Sequence, residues 1–120
     1  SSQSRGLGDV YKRQVLEGVV GTLTTSNADL LDAVGSSTTE TIIGMSFANV
    51  NSSSQDVTID IEIVKSGGST TPHLLNDVTV PAGTTLVWET KVVLTTGDKI
   101  QGLCSAASSI DFTINYLKQT

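Results

Sequence analysis

His73 is the only histidine in the chain and Cys104 the only cysteine, so nucleophilic or general-base chemistry would have to be built around one of them. A histidine-activated nucleophile also needs a supported hydroxyl or thiol and an acid to orient the ring. His73 follows Pro72 and the turn-prone Thr70-Thr71 pair, and no local motif supplies those partners, so an exposed loop histidine is expected. A single cysteine excludes an internal disulfide framework and a cysteine-based zinc site. Cys104 alternates with Ile100 and Gly102, the pattern of a buried, inert thiol on a strand. Asp56, Asp60 and Glu62 form the densest acidic group. Calcium needs oxygens converging from a tight loop, whereas Asp60 and Glu62 repeat at about 7 Å along a strand, an ordinary solvated face. Asp98 follows Gly97 and is expected to accept hydrogen bonds from nearby amides and fix a turn. A sugar-binding platform would need exposed aromatics, and residues 15–120 hold only Phe47, Trp88, Phe112 and Tyr116. Trp88 is expected in the core, with an oligomer contact as the alternative. The sequon at Asn51-Ser52-Ser53 is too short and frequent a motif to carry a function. No catalytic, cofactor-binding or metal residue is assigned.

The elements that would position these residues are strands. Four stretches show a period of two. In residues 56–64, Val57, Ile59, Ile61 and Ile63 share one face, and Thr58, Asp60 and Glu62 share the other. In residues 110–116, Ile110, Phe112, Ile114 and Tyr116 alternate with Asp111, Thr113 and Asn115. Residues 41–50 place Ile43, Met45 and Phe47 opposite Ile42, Gly44, Ser46 and Ala48. Residues 85–94 begin with Leu86, Trp88 and Thr90 opposite Val87, Glu89 and Lys91, then shift into Val92-Val93-Leu94, which calls for a bulge or bend. Weaker strands are expected at residues 15–24, 74–80 and 99–105. Turns are marked by Asn51-Ser52-Ser53-Ser54, expected to join two antiparallel strands, by Ser66-Gly67-Gly68-Ser69, by Pro81-Ala82-Gly83 with proline second, and by Thr95-Thr96-Gly97-Asp98. Residues 28–34 are the one place for a short helical turn, with Asn27 as its cap. Seven or eight short strands at roughly ten-residue spacing predict an all-β fold, a single antiparallel β-sandwich of jelly-roll type.

Residues 4–14, Ser-Arg-Gly-Leu-Gly-Asp-Val-Tyr-Lys-Arg-Gln, resemble the translated DNA adapter of a transposase-based sequencing library. The first five residues match its primer-site portion and the next six its mosaic end. The resemblance implies that residues 1–14 are not native and pack poorly. It also implies that residues 15–120 form the single domain, truncated at its N-terminus. Excluding the adapter removes Arg5, Lys12, Arg13 and Tyr11 and leaves four lysines against eleven acids, a net charge of −7 without any arginine. Such a chain repels phosphate backbones, so nucleic-acid binding is not expected. Apolar runs such as Leu30-Leu31 and Val92-Val93-Leu94 fall far short of the roughly 20 residues that cross a bilayer, so no membrane anchor is expected. Serine and threonine exceed a quarter of residues 15–120 and alanine is sparse, which disfavours helices.

The C-terminal half reads Asp77-Val-Thr-Val-Pro-Ala-Gly-Thr-Thr-Leu, then Val93-Leu-Thr-Thr-Gly-Asp-Lys-Ile, then Ser109-Ile-Asp-Phe-Thr-Ile-Asn-Tyr-Leu. With residues 43–49 and 57–63, this pattern resembles small virion structural proteins of tailed, especially marine, bacteriophages. The resemblance implies a non-enzymatic β-sandwich module, a head decoration or a tail, neck or fibre component, which needs no cofactor. Its expected location is the virion, after assembly in the host cytoplasm. Its expected partners are further copies of itself or other virion proteins, meeting through strand edges or apolar faces. Two other classes remain open on the sequence. One is a carbohydrate- or surface-binding sandwich directed at a host glycan, the other an enzyme fragment whose catalytic parts lay upstream.

Overall fold

The computed structural model describes residues 14–68 and 71–120. Their alternating sequences pair into nine strands: β1 (Gln14–Thr22), β2 (Ala28–Leu31), β3 (Thr39–Asn49), β4 (Val57–Val64), β5 (His73–Val80), β6 (Thr85–Trp88), β7 (Val92–Leu94), β8 (Lys99–Cys104) and β9 (Ile110–Gln119). One sheet runs β1-β9-β3-β6, with β7 also on β3, and the other runs β2-β8-β4-β5. Every pairing is antiparallel. The pairs nest: β1 with β9, β2 with β8, β3 with β6 and β7, β4 with β5. This is a long hairpin rolled so that successive rungs fall in alternate sheets, the expected jelly-roll sandwich.

The core lies between the inner faces. Ile42, Phe47, Ile59, Ile61, Leu94, Ile100, Ile110 and Ile114 are fully buried, each from a strand position whose neighbours in sequence point the other way. At one corner Asn49 is buried and satisfied. Its amide nitrogen donates to the carbonyls of Gln55 at 2.8 Å and Val80 at 2.9 Å, and its Oδ1 accepts from the Asn51 amide at 3.0 Å.

Five local expectations are corrected. Residues 28–34 hold no helical turn: residues 28–31 form β2, which pairs with β8 and buries Leu30 and Leu31. Asn27 caps no helix and instead donates to Glu62 Oε1 at 2.6 Å. In β3 the expected face is broken, because Ile42 is fully buried and Ile43 is 38% exposed. The register with β9 slips there, with Asn115 opposite Gly44 but Tyr116 opposite Ile42. Ile43 is thus the extra residue of a β-bulge, and the slip changes which residues face inward. The turn at residues 51–54 does not join paired strands but carries the chain from one sheet to the other. Pro81 stands first, not second, in its turn, since Thr84 N–H donates to its carbonyl at 3.1 Å. The expected break in residues 85–94 separates β6 from β7. The proposed character of residues 1–13 lies outside the described residues, as does Ser69 of its turn, while Gln14 pairs with Gln119 in β1.

Candidate functional site

The residues with chemical potential are spread through the fold and serve mainly structural contacts. His73 is exposed and opens β5 opposite Glu62, a strand position rather than a loop. Asp56 accepts from the Ala82 amide at 3.0 Å and Asp60 from the Asp77 amide at 2.7 Å. Their carboxylates therefore fasten neighbouring backbone. Among the described residues no three His, Cys, Asp or Glu side chains converge as metal ligands. Cys104 is buried, with Sγ 3.0 Å from the Ala106 carbonyl, and burial pushes its thiol pKa up. Trp88 is half-buried against the core and its indole N–H donates to the Thr90 carbonyl at 3.0 Å.

Asp98 is a buried carboxylate held by a full set of donors. At 1% side-chain exposure it pairs with Lys65 Nζ at 2.7 Å and accepts the amides of Thr95 at 3.0 Å and Ser66 at 2.9 Å. Burial alone would raise its pKa, but the lysine and the two amides outweigh burial and bring the carboxyl to about 2. The site closes a turn: Asp98 N–H donates to the Thr95 carbonyl at 2.9 Å. Gly97, at φ +89°, leaves room for Ser66, whose Oγ would lie 2.5 Å from an added Cβ.

The outer face of the β1-β9-β3-β6/β7 sheet is unlike an ordinary solvated sheet. Register places Leu16, Leu117, Thr41 and Val93 in one row, Val20, Thr113, Ser46 and Val87 in another, and Thr22, Asp111, Ala48 and Thr85 in a third. Asp111 is the one charge in these rows, and it accepts from Thr22 Oγ1 at 2.9 Å. Leu16, Val20, Val87 and Val93 are 60–76% exposed. An antiparallel sheet with one face in water normally alternates apolar-in, polar-out. The opposite sheet follows that rule: its outer rows carry Asp60, Glu62, Asp29 and Lys99, with Lys99 and Asp29 paired at 3.2 Å. A face with exposed aliphatic side chains and a single charge in its rows is suited to protein contact.

A cleft of about 290 Å³ opens at one end of the sandwich, lined by Val19, Leu30, Leu31, Asp32, Ala33, Gly35, Glu40, Tyr116 and Lys118. Tyr116 O–H donates to Glu17 Oε1 at 2.7 Å, and burial together with that carboxylate pushes its pKa up. Glu40 is 6% exposed, and its Oε1 is buried with no hydrogen-bond partner among the described residues. Burial raises the Glu40 pKa. Lys118 opposes the rise, and the charges of Glu17 and Asp32 add to it. Sequence reading passed over this cleft because its charged lining residues, Asp32, Glu40 and Lys118, come from the segment after β2, from β3 and from β9.

No family model and no curated protein matches the chain. Solved structures do resemble it. A chain in the structure of infectious bursal disease virus Gx strain is similar at 12% identity with a TM-score of 0.52, over 90% of this chain and 32% of that one. A chain in the crystal structure of the infectious bursal disease virus VP2 subviral particle is similar at 10% identity with the same TM-score and coverage. The chain thus spans about a third of the length of these two. A pentameric capsid protein isolated from metagenomic phage sequences is similar at 16% identity over 84% of this chain and 59% of that one, with a TM-score of 0.39, a looser likeness. At these identities the shared feature is the all-β sandwich fold.

Proposed function

We propose that the chain is a non-enzymatic structural module of a virus particle, acting through association with further copies of itself or with other particle proteins. Within that reading it is a head decoration or a tail, neck or fibre component of a tailed, marine bacteriophage, located in the virion. The reading takes residues 1–14 as adapter-derived and residues 15–120 as the domain. The single observation that carries it is the outer face of the β1-β9-β3-β6/β7 sheet, whose rows hold four exposed aliphatic side chains and one charge, Asp111. Two copies of residues 15–120, each with a net charge of −7, repel at most approaches, and this face lets them meet with almost no acid against acid. The fold is compatible with the role, since jelly rolls build virus coats, although they also build lectins. A glycan-binding module would need an exposed aromatic platform, and Trp88 instead rests on the core with its N–H satisfied. Light scattering of the purified chain across a concentration series tests the proposal. A defined oligomer is expected, and a chain that stays monomeric at millimolar concentration would contradict it.

A further inference from the structure

We infer that the cleft between β1, β3, β9 and the segment after β2 binds a small organic cation, an ammonium or guanidinium head on a short alkyl stem. The observation is independent of the outer sheet face. Among the described residues, Glu40 Oε1 is an acceptor removed from water and left without a donor, an arrangement that destabilises a protein unless something fills it. Donors among the described residues do not pair with it: Tyr116 O–H is spent on Glu17 at 2.7 Å, and Lys118, though opposite Glu40 in register, forms no ion pair with it within 4 Å. The lining holds two carboxylates, Asp32 and Glu40, against one lysine, and Glu17, on the far side of the Tyr116 hydroxyl, adds to the negative field that raises the Glu40 pKa. The walls contributed by Leu30 and Leu31 are apolar, so the cavity offers an acidic floor and a greasy side, complementary to a cation on a hydrocarbon stem. A bare divalent ion fits less well, because the acids among the described residues do not converge as a ligand set and such ions require several oxygens at once. About 290 Å³ lies at the small end of ligand pockets and suits one side chain or a simple amine.

The test follows the Glu40 side-chain carboxyl carbon by NMR in the full chain while n-butylammonium chloride is titrated at constant ionic strength. Sodium chloride, n-butanol and calcium chloride serve as controls. The expected result is a saturable shift with n-butylammonium alone, together with a fall in the pH at which Glu40 is half-protonated. Read on Leu30 and Leu31 methyl signals, binding should weaken at least tenfold in Glu40→Gln and strengthen in Lys118→Gln, which removes the competing charge. A response equal to that of sodium chloride or n-butanol overturns the proposal, as does unchanged binding in Glu40→Gln. Saturation by calcium at lower concentration than n-butylammonium also overturns it and makes this a metal site. Sedimentation of the same samples distinguishes the source of the cation. Dissociation of any oligomer by n-butylammonium assigns it to a lysine of a second copy, and intact association assigns it to a free amine or another protein.

Discussion

Asp98 and Glu40 are both buried carboxylates, yet their surroundings set opposite pH dependences. Asp98 is held near pKa 2, below its ordinary 3.8, so the fold favours its ionised form. Its contribution is fully present above about pH 4 and is lost as pH falls toward 2, a difference of about 2 kcal/mol. In urea titrations Asp98→Asn should lower stability at neutral pH by about 2–4 kcal/mol and flatten the acid limb between pH 4 and 2. An acid limb as steep as the parent's would contradict this account. For Glu40 the folded pKa is raised, so protonation favours the fold, and its contribution is lost as pH rises through the folded value. Cys104 is expected to resist a disulfide reagent in the native chain and react on unfolding; fast, stoichiometric labelling of the folded protein would contradict its burial. The roles of Asp98 and Cys104 were legible in the sequence, because a Gly-Asp turn and a two-residue alternation are local signals. Lys65 as the partner of Asp98 was not, since 33 residues separate them, and neither was the cleft around Glu40.

At the scale of elements, the strands with clean alternation appear where their patterns place them, β4 over Val57–Val64 and β9 over Ile110–Gln119. The failures have physical causes. The β2 segment was misread because four residues ending in two leucines carry too short a period to separate strand from helix. The face of β3 was misread because a bulge depends on the partner strand's register, which no single segment displays. The bulge makes a sharp contrast testable by chemical denaturation. Ile42→Ala should cost about 2–5 kcal/mol, as for other core truncations, while Ile43→Ala should stay within about 0.5 kcal/mol. Equal losses at the two positions would place the bulge elsewhere. The interruption between β6 and β7 was legible as a phase shift in the apolar pattern. That both halves remain on β3 is a tertiary fact.

At the scale of the molecule, the two sheets differ in what they turn outward. The β2-β8-β4-β5 sheet presents Asp29, Asp60, Glu62 and Lys99, whereas the β1-β9-β3-β6/β7 sheet presents mainly valine, leucine, threonine and serine, with Asp111 as the one charge of its named rows. Composition alone could report an acidic chain but not this asymmetry, because which strands share a sheet is decided by nested long-range pairing. Under the proposed function, repulsion between acidic copies and attraction between apolar faces are expected to direct association to one side of the sandwich. Sedimentation velocity tests this most directly by comparing the parent with Val20→Glu/Val87→Glu, which charges the apolar face, and with Thr58→Glu/Thr79→Glu, which charges the opposite one. The parent and the second variant should sediment as the same oligomer and the first as a folded monomer. Equal oligomerisation by all three, or a monomeric parent, would contradict the central claim.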